Sequence, residues 1–267
     1  MMKKLQALCP WALSLLFLVS PFSHGGETLD RVIEAKTLVV GMSGDQPPMN
    51  ALNRQGKFMG FDVDLATALA NAMRVDLKIE QYAFGDLLPA LAEGKVDMII
   101  SGMSITPERS TNASFIGPYM LGGKSILTTR DAIAQFQTGD LSKSDVKLTA
   151  LRGSTSATFV LEYAPNATLV EVDAYGDAVS MVSAGEAAGM VADEVTCKLA
   201  IMRNPDAGLV TLDKPLTVEP FGIAVAAEDG EFLNLIQNYV RAYEGTGLLT
   251  GLRKKWLENS SWIAALP

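Results

Sequence analysis

Apolar, β-branched runs alternate with amphipathic stretches along most of the chain. The run at 37–42 reads as a strand, and the stretch 61–73 sets Phe61, Leu65, Leu69 and Met73 four apart on one helical face. A strand at 77–83 follows, then a short helix at 87–92 stopped by Gly94. The apolar run 96–100 suits a parallel strand buried on both faces. Repeated βαβ units of this kind predict an α/β fold, with right-handed crossovers that open the strand ends along one edge.

Past Pro118, Tyr119 and Gly122-Gly123 the alternation weakens, crosses a polar stretch at 138–144 and restarts at 147–151. Helices at 156–163 and 175–184 then separate strands at 168–172 and 189–192, and another strand reads at 209–212. A strand at 221–226 and amphipathic helices at 232–243 and 248–256 belong against the first sheet. A chain that leaves one unit, builds another and returns makes two crossovers, the arrangement of a hinged cleft. The expected division is 26–121 with 219–267 in lobe 1, and 122–218 in lobe 2.

Residues 1–25 fit neither unit. Lys3 and Lys4 precede a short apolar run, then Pro21 and small residues near Gly25, which reads as a secretory signal peptide too short to span a bilayer comfortably. The protein is therefore expected in the periplasm. Without that segment 20 basic residues face 30 acidic ones, so nucleic acid is not an expected partner. The mature chain would also lack His24 and Cys9, leaving no histidine and one thiol, Cys197, read as a small buried side chain. A disulfide, a Cys/His metal site and a His-assisted nucleophile are thereby excluded, and no cofactor or metal is expected. Asp62 and Asp64, two acids on a helix, read as solvated rather than as calcium ligands.

Three places break local rules. In Ser101-Gly102-Met103-Ser104-Ile105-Thr106-Pro107-Glu108-Arg109, Thr106 and Pro107 suit the start of a helix, so Arg109 falls in its first turn, where the dipole disfavours a cation. An anion should compensate, either a neighbouring acid or a ligand carboxylate gripped by the planar guanidinium. Arg152-Gly153-Ser154-Thr155 opens a helix after a strand, either as an anion site or as plain N-capping by Ser154. Asp193 ends an apolar strand and could meet an ammonium group or cap the next helix. Together an Arg, a helix start and an Asp complement the two charges of a zwitterion.

These motifs resemble the periplasmic polar amino-acid-binding proteins of ABC importers, the type II or family 3 solute-binding proteins. The likeness rests on Gly60-Phe61-Asp62-Val63-Asp64-Leu65-Ala66, Leu88-Pro89-Ala90-Leu91, Gly94-Lys95-Val96-Asp97 and the segment 101–109, with weaker matches at 153–155, 191–193 and 221–225. It implies a two-lobe fold, each lobe a mainly parallel sheet flanked by helices. It assigns Arg109, Ser104, Ser154 and Thr155 to a ligand α-carboxylate, Asp193 and the Gly102 carbonyl to its α-amino group, and Phe84 to an aromatic wall. Relatives usually place an aromatic where Gln46 stands, and Val-Asp where Ala187-Ala188 stands, so Gln46 either bonds a polar ligand group or sits in a rigid Pro-rich loop.

The resemblance implies a monomeric binding subunit that delivers a free amino acid or close carboxylate analogue to a membrane permease, and not an enzyme. Cyclohexadienyl (arogenate or prephenate) dehydratases share the fold but carry a glutamate three residues after the position of Asp193, where this chain has Thr196. A ligand-sensing subunit of a receptor would have the same ligand site.

Overall fold

The computed structural model describes residues 26–137, 141, 145–227 and 229–267. The expected signal peptide lies outside these residues, as does most of the polar stretch 138–144.

The strands are β1 (Thr37–Met42), β2 (Asp45–Gln46), β3 (Asn50–Leu52), β4 (Phe58–Met59), β5 (Asp76–Gln81), β6 (Met98–Ile99) and β7 (Ala113–Gly122). They continue as β8 (Lys124–Thr129), β9 (Lys147–Leu151), β10 (Thr168–Val172), β11 (Gly189–Asp193), β12 (Leu209–Thr211) and β13 (Glu219–Ala226). The α-helices are α1 (Glu27–Ala35), α2 (Phe61–Met73), α3 (Leu87–Ala92), α4 (Thr155–Tyr163), α5 (Tyr175–Ser183), α6 (Glu194–Arg203), α7 (Gly230–Gly245) and α8 (Leu248–Arg253).

Two five-stranded sheets result, ordered β5-β1-β6-β13-β7 and β10-β9-β11-β8-β12. In each, four strands run one way and a single strand is reversed: β13 is antiparallel to β6 and β7, and β8 to β11 and β12. The fold is thus the α/β, two-lobe, type II arrangement.

The reversal follows from chain path. The main chain passes from the first sheet to the second directly, from β7 into β8 at Gly123, and returns through 212–218 into β13. The two passages run side by side: the Lys124 N–H donates to Thr217 Oγ1 at 3.0 Å, and the Leu216 N–H to the Lys124 carbonyl at 2.7 Å. Gly123 is required there, because a Cβ would lie 2.2 Å from the Thr217 carbonyl oxygen.

The first lobe buries Leu38, Val40, Phe61, Leu65, Leu69, Ile223 and Ile236 in one cluster, so the four-residue spacing in α2 does face the core. A second cluster joins Phe84, Leu87 and Met103 of that lobe to Leu127, Leu151 and Tyr175 of the other. At about 25 cal/mol per Å² of buried apolar surface, this shared cluster favours the lobes in contact.

The solvated reading of the α2 acids is corrected. Asp62 is fully buried and accepts from Asn50 Nδ2, the Gly102 N–H and the Tyr119 hydroxyl, tying the loop after β6 to the helix start. Asp64 accepts from Trp256 Nε1 and pairs with Lys255.

Candidate functional site

The residues singled out in the sequence converge where the lobes meet, yet several of their partners are unforeseen. Gln46, Phe84, Gly102, Ser104 and Arg109 come from elements around the first sheet; Gly153, Ser154, Thr155 and Asp193 come from the second.

Arg109 begins a 3-10 turn over Arg109–Thr111 rather than an α-helix, although Thr106 Oγ1 does accept its N–H at 3.1 Å. Its compensating partners are carbonyl oxygens. Nη1 donates to Ser104 O at 2.8 Å within its own lobe, and Nη2 to Gly153 O at 3.0 Å across the cleft. The guanidinium also lies over the Phe84 ring, 5.6 Å from its centroid, a cation–π distance. Phe84 belongs to the shared apolar cluster as well. Burial lowers the guanidinium's pKa, against the opposing pull of Glu219 and, more weakly, Glu108 and Asp193.

Ser154 is corrected to the capping role. Its hydroxyl accepts from the Ala157 N–H and donates to Leu151 O, and its own N–H also donates to Leu151 O, so these groups are engaged within the lobe. Thr155 faces the cleft: its hydroxyl lies 3.4 Å from that of Ser104.

Asp193 does not cap α6, having no side-chain bond to that helix start. One carboxylate oxygen takes the Lys124 ammonium at 2.9 Å and the other takes Gln46 Nε2 at 3.4 Å. Gln46 Oε1 has no partner, although Gln46 is only 2% exposed. It rests against Gly102, whose φ of +53° and lack of Cβ let the amide lie close; a Cβ there would be 2.9 Å from Gln46 Nε2.

Two charged residues escaped the sequence reading. Lys124, the first residue of β8, is the register partner of Asp193 on β11. Glu219, the first residue of β13, lies 3.1 Å from the Lys124 ammonium and accepts from Ser104 Oγ at 2.5 Å and Thr155 Oγ1 at 2.7 Å, all through Oε2. The side chains of Lys124, Asp193 and Glu219 are 3%, 6% and 13% exposed, so water screens this network little. Burial raises the Glu219 carboxyl, but Lys124 and the two hydroxyls outweigh it and hold the group below the ordinary carboxylate range. The available signal was an isolated charge at the start of each apolar run that follows a crossover.

Beside this network a cavity of about 250 Å³ opens between the lobes, lined in part by Asp45, Tyr175, Thr196 and Arg203. Asp45 Oδ1 and Thr196 Oγ1 are buried there without partners. Burial raises the Asp45 carboxyl, a shift that Ser43 and the Tyr175 backbone reduce. Among the described residues no group of three or more His, Cys, Asp or Glu side chains could hold a metal ion, and no helix is long and apolar enough to cross a membrane.

The sequence model of the bacterial extracellular solute-binding proteins, family 3, matches residues 38–259. ABC transporter arginine-binding protein 1 of Escherichia coli (strain K12) is 27% identical over 247 residues, 91% of this chain and 98% of that protein. Cyclohexadienyl dehydratase of Pseudomonas aeruginosa is 27% identical over 235 residues, 86% of each. The crystal structure of an ancestral amino-acid-binding protein, a precursor of cyclohexadienyl dehydratase, superimposes with a TM-score of 0.78 at 33% identity, covering 86% of this chain and 99% of that one.

Proposed function

The chain belongs to the bacterial extracellular solute-binding proteins, family 3, and from that premise we propose that it captures a free amino acid or a close carboxylate analogue between its lobes and delivers it to an ABC-type importer. The observation that carries this reading is the pairing of polar groups across the cleft: Ser104 with Thr155, Arg109 with Gly153, and Gln46 with Asp193. A ligand held by both sides stabilises the closed form, because closure follows from contacts that only that form makes.

In this reading Arg109, Ser104 and Thr155 hold the α-carboxylate. Asp193 takes the α-ammonium, together with the unpartnered Gln46 Oε1 and the Gly102 carbonyl, and Phe84 forms a wall. The free acceptors Asp45 Oδ1 and Thr196 Oγ1 suit a side chain that carries hydrogen-bond donors, such as an amide or a guanidinium. The protein acts as a monomer, exported to the periplasm with residues 1–25 removed, and has no nucleic-acid partner. N-terminal sequencing of the exported protein checks the cleavage.

Binding is favoured over dehydration by two features. Thr196 stands where the dehydratases that this chain resembles carry a glutamate, and the Glu219 carboxyl, one of two in the network, is held below the ordinary carboxylate range, which suits it poorly to donating a proton. Production of phenylpyruvate from prephenate, or of phenylalanine from arogenate, by the purified protein would reverse this assignment.

A thermal-shift screen of the twenty L-amino acids and related organic acids tests the capture itself. A ligand at a hundred times its Kd adds about 2.7 kcal/mol, roughly 5–10 °C for a chain of this size. Cationic and amide side chains should give larger shifts than aspartate or glutamate; no stabilisation by any amino acid rejects the reading.

A further inference from the structure

Lys124 and Glu219 stand on the groups that the capture reading assigns to the two poles of an amino acid. The Lys124 ammonium lies on Asp193, and the Glu219 carboxylate lies on the Ser104 and Thr155 hydroxyls. We propose that this pair is an internal surrogate for the ligand's charged poles, so that binding is an exchange in which the ligand displaces Glu219 and shares Asp193 with Lys124, and the pair sets affinity and selectivity. The inference rests on the capture reading.

The exchange follows from donor arithmetic. Each hydroxyl has a single hydrogen to donate. In the structure both are directed at Glu219 Oε2, one from each lobe, and the two hydroxyl oxygens are 3.4 Å apart. A ligand carboxylate that accepts these hydrogens takes them from Glu219, so the two carboxylates are mutually exclusive there. Were both retained, they would share a poorly screened space as like charges.

The cationic pole behaves differently. A carboxylate can accept several donors, and the Asp193 oxygen facing Gln46 is held only by a 3.4 Å contact, so a ligand ammonium can join Lys124 instead of replacing it. Arg109, Lys124, Asp193 and Glu219 already sum to zero charge. A zwitterion keeps that balance, whereas a ligand with excess negative charge adds to the repulsion from Glu219. The pair therefore taxes the α-carboxylate, and side-chain contacts must supply the discrimination between ligands.

Glu219→Gln removes the competing charge, keeps the side chain's shape and leaves Lys124 on Asp193. Isothermal titration with the twenty L-amino acids should show at least tenfold tighter binding of whichever amino acid the wild type takes. The amine counterpart of that ligand, lacking the carboxylate, should change less than threefold. The charge-balanced double variant K124M/E219Q, which frees Asp193 as well, should bind the amino acid at least as tightly as the single variant.

If the wild type binds an amino acid and both variants bind it equally well or more weakly, the surrogate role is wrong while capture stands. Equal tightening of the amine counterpart would likewise remove the competition argument. If neither wild type nor variants bind any amino acid, the capture reading fails and this inference with it. Binding gained only by the variants would fail the capture reading for the wild type, and this inference with it.

Discussion

Arg109 reaches across the cleft to donate to the Gly153 carbonyl at 3.0 Å, while its other terminal nitrogen holds the Ser104 carbonyl at 2.8 Å in its own lobe. The fork thus couples lobe closure to the position of Ser104, and a lysine's point-like ammonium cannot span both carbonyls in the same plane. Losing the partner of a buried charge commonly costs about 3–5 kcal/mol. Arg109→Ala should therefore weaken amino-acid binding more than about a hundredfold, at 1.4 kcal/mol per factor of ten. Arg109→Lys should fall between that variant and the wild type. Calorimetric affinities of the three proteins check this, and unchanged affinity in the alanine variant removes Arg109 from the site.

Closure also brings two glycines together. Gly153 has φ of +69°, and a Cβ there would lie 2.9 Å from the Gly85 Cα on the opposite lobe. Gly153→Ala therefore adds left-handed strain of about 1–2 kcal/mol and a wedge between the lobes. Ligand affinity should drop at least about tenfold. Small-angle X-ray scattering at saturating ligand should show a wider particle than the wild type; identical scattering and affinity would mean that the lobes tolerate the added methyl.

Asp62 makes the fold sensitive to pH in a specific direction. Burial raises its carboxyl from 3.8 to about 6, an effect that Asn50, Tyr119 and the Gly102 N–H oppose without cancelling. The folded protein consequently holds this proton more tightly than the unfolded chain. Asp62 contributes most stability below about pH 4, loses it as pH rises through 6, and is level above that. The swing is about 3 kcal/mol at 1.36 kcal/mol per pKa unit. Urea unfolding at pH 4, 5, 6 and 7 should show the stability of wild type relative to Asp62→Asn falling across that window; a constant difference would show that Asp62 does not titrate there.

Cys197 is fully buried, and burial pushes its thiol up to about 12. Thiolate is the reactive form, so the native protein beginning at residue 26 should not react with an aromatic disulfide reagent at pH 8 over minutes. The same protein in denaturant should release one equivalent of chromophore. Prompt labelling of the native protein would contradict the enclosed position.

The elements that could be read along the chain were those whose pattern is carried by neighbours in sequence. The strand at 37–42 and the helix at 61–73 have the expected bounds in the structure, because a buried strand needs a continuous apolar run and α2 needs one apolar residue per turn. β7 and β8 went unread. β7 is broken by Gly117 and Pro118, whose backbone constraints mask its alternation, and β8 follows at once through Gly123.

At the site, Arg109, Thr155 and Asp193 were legible as candidates from local order, Thr155 and Asp193 by a helix start and a strand end, and Arg109 by a helix dipole that the structure replaces with a 3-10 turn. Their partners were not. Arg109 rests on two carbonyls, Ser154 keeps to its cap, and Asp193 meets Lys124.

The sequence by itself determined the alternation of strands and helices, the cleft-forming topology and the residue types able to face a zwitterion, because each follows from local periodicity, caps and turns. Only the tertiary structure decided which charges neutralise one another. Lys124 and Glu219 meet because two crossing segments run side by side and each feeds a reversed strand, a register set by long-range pairing that no local pattern encodes.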